Sequence, residues 1–304
     1  MYTICFSAQN EKFRKILDAK MGDIKEFMPK GLIELGNAFM EVEMKVDGKK
    51  KTLYCFYNNN FELQAIGEMK DDKKIGYWYV YSSTKGFLTS EGNLDDEENK
   101  TGEWTWYRES GAVEEISNYK EGKYHGLKKY YYPDGTLNFT VNYKEGELHG
   151  EYKYYNKYGA LTEEKVFVDG EIDGPLKTYY ETGVNYPEYV VPYKAGKING
   201  EALRYYITGQ KRLEVNYVDG KKEGVAKEYY ITGELFSEST YKEGMIVGSY
   251  KDYYMDGSVK TEGNFEEDER EGTWKYYHRN GKLETECFYK GGKLNGEYKE
   301  YDLD

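Results

Sequence analysis

Over residues 67–304, apolar and polar positions do not follow helical spacing. Short runs rich in Tyr, Val, Thr and Phe, such as YKYYN and LTEEKVFV, alternate with glycine-bearing clusters. Runs of this composition predict strands. The clusters between them, NKYG, YPDG, ITG, MDG and HRNG in one set and YKEG, VDG and YKAG in the other, predict tight turns, because they supply residues that accept positive φ. Each pair of runs reads as one antiparallel hairpin. Connections this short cannot cross over to a parallel strand, so successive strands are expected to pair as a meander.

The hairpins recur at a fixed period. Register glycines fall at Gly76, Gly102, Gly126, Gly150, Gly174, Gly200, Gly224, Gly248, Gly272 and Gly296, spaced by 24 residues with two spacings of 26. Periodicity of that kind marks a repeat architecture. Five residues after each glycine stands a tyrosine: Tyr81, Tyr107, Tyr131, Tyr155, Tyr179, Tyr205, Tyr229, Tyr253, Tyr277 and Tyr301. Seven residues before the glycine comes an aromatic, among them Tyr119, Tyr143, Phe167 and Tyr289. The expected fold is all-β: an elongated, single-layer antiparallel array of about ten 24-residue hairpins. At a strand spacing of ~4.8 Å such an array is on the order of 90 Å long.

Alternation places the second residue after the glycine (Trp78, Trp104, Trp274) on one face and the fifth-position tyrosine on the other, so both faces are expected to carry aromatic surface. Rings are expected to stack between hairpins of a twisted sheet. The aromatic seven residues before each register glycine is expected to lie opposite it, where a missing side chain leaves room for the ring.

Residues 9–66 break the repeat. Phe13, Ile16, Leu17, Met21, Ile24 and Phe27 predict an amphipathic helix within 10–28, with Asn10 as N-cap. FMEVEMKV and KTLYCFYN predict a hairpin, and together these elements form a small α+β cap on the array. Residues 1–8, MYTICFSA, read either as the end of a secretory signal peptide, which implies export to the periplasm or cell surface, or as an ordinary N-terminal strand. Two units deviate from the rest. Residues 183–196 carry two extra residues and the prolines Pro187 and Pro192, which predict a bulge or bend; 86–102 carry the acidic loop NLDDEENKTG, read as solvated because its carboxylates lack EF-hand spacing.

Composition narrows the function. A mean hydropathy of −0.91 fits disorder, but 17% aromatic residues do not. A net charge of −12 disfavours nucleic acid and anionic bilayers and suits a basic partner. Cys5, Cys55 and Cys287 show no metal or redox spacing. His125 and His149 occupy one repeat position, about 10 Å apart by the strand spacing, too far to share a metal. Glu164, Glu214, Glu238, Glu262 and Glu286 recur fourteen residues after the glycine, as expected of carboxylates pairing with the repeated lysines across strands. Catalytic residues should interrupt a repeat, and no polar cluster does, so neither an enzymatic centre, a cofactor nor a metal is expected.

The pattern G-x-x-x-x-Y-Y-x-x-G-x-L-x-x-E-x-x-Y-x-x-G-x-x-x-G, seen in 150–174, 224–248 and 272–296, resembles the bacterial variant of the MORN repeat (membrane occupation and recognition nexus). The resemblance covers residues 67–304. It implies a β-hairpin array serving as a protein-binding scaffold, in a group that includes antitoxin-like proteins. The register glycines from Gly126 to Gly296 carry over as structural positions. Some eukaryotic relatives contact phospholipid, but their Tyr-x-Gly-x-Trp lead is absent here and the acidic charge opposes it. The expected partner surface is formed by Tyr107, Tyr131, Tyr155, Tyr179, Tyr205, Tyr229, Tyr253 and Tyr277, which give contact area at low entropic cost. A protein partner is expected; an antitoxin neutralising a basic toxin in the cytoplasm, or an exported adhesin that binds glycans, are the alternatives.

Overall fold

The computed structural model describes residues 4–5, 38–46, 49–58, 62–183 and 186–302, with side chains from residue 52 onward. The chain forms two compact units, Met1–Glu147 and Leu148–Asp304.

In the first unit, Ala38–Val46 and Lys49–Tyr57 form a hairpin, and Lys49–Tyr57 continues into Leu63–Lys70. Lys73–Tyr81, Leu88–Leu94, Lys100–Tyr107, Val113–Lys120, Lys123–Tyr131 and Leu137–Lys144 follow, each antiparallel to its predecessor. Ile4–Cys5 runs parallel to Ala38–Val46. The hairpin expected before the repeat is therefore present, whereas the helix expected within 10–28 lies outside the described residues. An α+β cap is accordingly not supported. No helix occurs among the described residues, and the meander expected of the repeats is what they form.

The second unit repeats the same hairpin. From Leu161–Val168 to Lys293–Glu300, each long strand pairs antiparallel with the next. Two turn types alternate. Between Lys211–Val218 and Lys221–Lys222, the central residues Asp219 and Gly220 have φ of 49° and 84°. Positive φ at both positions defines the type I′ turn, whose twist matches that of the flanking strands. At the other edge, Tyr206–Gly209 closes with the Gly209 amide donating to the Tyr206 carbonyl at 2.8 Å. There a left-handed glycine follows the turn, and the register shifts between Arg204 and Tyr205.

The register glycines sit in a second irregularity. Ser239 faces Tyr250 and Tyr241 faces Ile246, so two residues on one strand span four on the next. Gly248 lies inside this bulge at φ 67°, a conformation that costs any residue with a Cβ. The bulge corrects one expectation. The aromatic opposite a register glycine is not the one seven residues before it but the one on the next hairpin: Gly150 faces Phe167 and Gly272 faces Tyr289. A Cβ on Gly272 would meet nothing within 4 Å, so backbone conformation and not room for a ring selects glycine there.

Rings do lie on glycines, at different positions. Ring atoms of Trp78, Trp104 and Trp274 come within 2.2–2.3 Å of where Gly67, Gly92 and Gly263 would carry a Cβ. Where the ring is absent the pocket residue grows: Val215 lies between Ala202 and Ala226, and these three form a buried cluster. The core follows this one face, with Trp78 and Trp104 packed against Ala65 and Tyr119 in the first unit and Trp274 fully buried in the second. Rings stack from hairpin to hairpin, as in Tyr119–Tyr124 at 4.7 Å, Tyr124–Tyr143 at 5.0 Å and Phe265–Trp274 at 5.1 Å. Both faces carry aromatic residues, as expected, but the burial is one-sided. One face is a core, and the other, carrying the fifth-position tyrosines, is a polar ladder. The proline-bearing insertion is also simpler than expected. From Pro187 the strand pairs in the same register as its counterparts, Gly174 facing Tyr193, so the extra length is confined to the turn.

Candidate functional site

The eight tyrosines predicted to form a partner surface do not converge. Each is half-buried in its own repeat, and in most the hydroxyl has an internal acceptor. Tyr179 donates to Glu164 at 2.8 Å, Tyr229 to Glu214 at 2.6 Å, Tyr253 to Glu238 at 3.2 Å and Tyr277 to Glu262 at 2.6 Å. Tyr107 donates to Glu91. The carbonyls of Tyr131 and Tyr205 accept from Arg108 and Tyr180, and Tyr155 is likewise engaged. The repeated carboxylates pair with lysines across strands as expected: Lys177–Glu164 at 2.8 Å, Lys251–Glu262 at 3.2 Å, Lys227–Glu238 at 3.6 Å and Lys275–Glu286 at 3.9 Å.

This ladder moves the ionisations of its members. Burial, and then the Glu214 carboxylate, push the Tyr229 hydroxyl up to about 12. The same causes act on Tyr277 through Glu262. Hydrogen bonds from Lys211 and Tyr229 hold Glu214 below the ordinary carboxylate range, as those from Tyr277 and Lys251 do Glu262.

A second set of tyrosines escaped the sequence reading. Tyr180, Tyr206, Tyr230 and Tyr254, one place after the fifth-position tyrosines, donate to the carbonyls of Tyr205, Tyr229, Tyr253 and Tyr277 at 2.7–2.8 Å. Each reaches the following hairpin and pins one turn to the next. The recurring Tyr-Tyr doublet was the available signal. On the opposite edge the type I′ turns are linked by backbone, the Gly220 amide donating to the Ile198 carbonyl and that of Gly244 to Lys222, at 2.8 and 2.9 Å, and by carboxylates such as Glu223, which accepts the Glu243 amide at 2.9 Å.

The stapled edge exposes apolar side chains in series. Ile207, Ile231 and Met255 occupy one turn position in three successive hairpins and are 44%, 48% and 47% exposed. Strand spacing sets them about 10 Å apart. Glu181 and Arg279 occupy the same position in the flanking hairpins. Tyr186, from the longer turn, is exposed and rests its ring 3.5 Å from where Gly209, two residues after Ile207, would carry a Cβ. An apolar row with charged ends differs from scattered exposed residues.

The first unit holds a denser cluster on its core face. Lys128 pairs with Glu115 at 2.9 Å, Ser117 donates to Glu115 at 2.7 Å, and the Lys100 ammonium stands 4.7 Å from the ring centres of both Trp104 and Trp106. Burial lowers the Lys100 ionisation. All its members are partnered within the unit, as befits a cation–π and ion-pair network that supports the tryptophans.

Among the described residues no three His, Cys, Asp or Glu side chains are grouped to hold an ion. His149 lies 3.4 Å from Asp169 and His278 3.9 Å from Glu284. In the acidic loop, Asp95 accepts the amides of Glu97 and Asn99, both at 2.9 Å, so this carboxylate closes its own turn. Cys55 and Cys287 are buried free thiols, and burial pushes Cys55 up to about 12.

No curated protein matches the chain. Among solved structures, S. aureus TarM in complex with fondaparinux, alpha-GlcNAc-glycerol and UDP aligns at 12% identity and a TM-score of 0.21, over 56% of this chain and 33% of TarM. The chain thus spans about a third of that relative's length. A Photorhabdus luminescens Tc holotoxin pore aligns at 11% identity and a TM-score of 0.21, over 93% of this chain and 20% of that one. A porin-like protein from Bacteroides uniformis aligns at 10% identity and a TM-score of 0.13, over 82% and 93%. Four segments of the chain, residues 100–121, 124–145, 222–243 and 270–290, match the MORN repeat variant.

Proposed function

We propose that this chain is a non-enzymatic, protein-binding repeat module, and that the stapled edge of the second unit is where its partner docks. MORN repeats are usually protein- or membrane-binding repeat modules, which supports a binding class. The observation that carries the protein reading is the row Ile207, Ile231 and Met255, with Tyr186 beside it, exposed at equivalent positions on turns that the tyrosine staples hold rigid. Rigid apolar side chains at regular intervals lose little entropy on binding and suit an elongated partner segment. The net charge of −12 favours a basic partner and opposes an anionic bilayer.

The test uses the full chain and the variant Ile207→Ser/Ile231→Ser/Met255→Ser as paired baits in extracts of the organism that makes it. These side chains are exposed, so the variant should keep its thermal midpoint. A protein retained by the wild type and lost by the variant supports the reading. Identical retention by both baits, or none by either, removes it.

A further inference from the structure

The repeat supplies its own reference for what surrounds a ladder carboxylate. Glu164 lies between Lys153 and Lys177, Glu238 between Lys227 and Lys251, Glu262 between Lys251 and Lys275, and Glu286 between Lys275 and Lys299. In each case the register sets a lysine on both neighbouring strands. Glu91 holds the same place in the first unit, and its two cross-strand neighbours are Tyr79 and Thr105. Both lysines are missing. Yet Glu91 is more deeply buried than any other carboxylate of the series, with 7% of its surface exposed.

What surrounds Glu91 is aromatic and acidic. Tyr107 donates a hydrogen bond to it, Tyr79 faces it across the strand pair, and the partly exposed Tyr77 lies close enough to feel its charge. The exposed Glu103 adds a second negative charge near Tyr77. Among the described residues no ion pair reaches Glu91. The next ladder lysine, Lys129, faces Ile116 and is three strands away, about 14 Å at ordinary strand spacing. Thr105 ends at its γ atoms, whereas lysine at the equivalent position carries an ammonium, so the chain itself brings no cation beside Glu91. A buried carboxylate with no cation is costly, and bringing one removes that cost.

We propose that the Glu91 position is a recognition site for one basic side chain of a partner protein, a lysine whose ammonium enters over Thr105, pairs with Glu91 and is flanked by the rings of Tyr77, Tyr79 and Tyr107. The partner thereby supplies the cation that neither neighbouring strand places at this carboxylate. The tyrosine rings add cation–π attraction to the ion pair. This rests on the protein-binding reading but on a different unit from the apolar row.

The experiment titrates the full chain, with its tyrosines selectively labelled for NMR, with the peptide acetyl-Gly-Gly-Lys-Gly-Gly-amide and with its norleucine counterpart at equal ionic strength. The lysine peptide should shift the signals of Tyr77, Tyr79 and Tyr107, and the norleucine peptide should not. Glu91→Gln should weaken the response by at least about tenfold, the loss of a charge-assisted pair. Glu262→Gln, whose lysines are already in place, should leave it unchanged. Thr105→Lys should occupy the site from within, abolishing the response while raising the thermal midpoint, so the site can be read even if Glu91→Gln folds poorly. Equal responses in wild type and Thr105→Lys, or equal weakening by Glu91→Gln and Glu262→Gln, overturn the proposal as general charge attraction. None of these readouts involves Ile207, Ile231 or Met255, so the two proposals fail separately.

Discussion

The hydroxyl of Tyr277 donates a 2.6 Å hydrogen bond to Oε1 of Glu262, a carboxylate on the preceding strand that Lys251 also reaches at 3.2 Å. Tyrosine, glutamate and lysine from three consecutive strands thus meet at one point. Removing the hydroxyl with Tyr277→Phe leaves the ring and takes away one charge-assisted bond. The expected loss is about 1.5–3 kcal/mol of unfolding free energy. Urea denaturation of Tyr277→Phe, Glu262→Gln and the double variant checks it, since the double variant should lose less than the sum of the singles.

The edge staples should act one neighbour at a time. Tyr230→Phe frees the Tyr253 carbonyl, and Tyr206→Phe frees that of Tyr229. Each should cost about 1 kcal/mol. Because a hairpin in such an array touches mainly its neighbours, hydrogen exchange should quicken at the turn that holds the altered tyrosine and at the one after it, and stay unchanged further along. Uniform acceleration throughout the second unit would contradict this.

Two glycines should fail for different reasons. At Gly224 the backbone is left-handed, φ 81°, with nothing within 4 Å of a Cβ. Gly224→Ala should cost roughly 1–2 kcal/mol through conformation alone and leave the tryptophan near-UV circular dichroism intact. At Gly263 the added methyl would sit 2.3 Å from the Trp274 ring. Gly263→Ala must displace the indole, so a loss of about 1–3 kcal/mol or more should come with an altered tryptophan spectrum.

The ladder also sets the pH range of stability. Glu164, Glu214 and Glu262 ionise below their ordinary value in the folded chain, the last two mainly through hydrogen bonds to Lys211 and to Tyr277. Their contribution is complete above the unfolded carboxylate value of 4.5 and is lost as pH falls below it. Tyr179, Tyr229 and Tyr277 are raised from 10.0 to about 12, so their contribution holds below pH 10 and is lost as pH climbs towards 12. Urea midpoints measured from pH 3 to pH 11.5 should be flat across the middle and fall at both ends. Glu214→Gln/Glu262→Gln should flatten the acid limb.

Much of this was legible in the residues. Glycine-bearing clusters between tyrosine- and valine-rich runs marked the hairpins, since positive φ and β-branching act locally. Matched periods of lysine and glutamate foretold the ion pairs, because cross-strand register preserves a common repeat. The partners of the register glycines were misassigned for a physical reason. The bulge around Gly248 inserts two residues into one strand, and nothing in linear spacing reveals which strand absorbs them. The tyrosines were read as binding surface from their side-chain type alone, and a hydroxyl's acceptor cannot be known before the strands are in register. Glu91 was passed over because its own repeat spacing is two residues longer than most, which hid its equivalence to Glu164.

The turn that contains Tyr186 is two residues longer than its counterparts, yet the strand from Pro187 onward pairs as though nothing had been added. Length at these tips is therefore decoupled from the ladder behind them. Successive hairpins can diversify their outer loops independently, giving one scaffold a modular rim on which new specificities can arise by small insertions, and on which reporter peptides could be grafted without disturbing the strands.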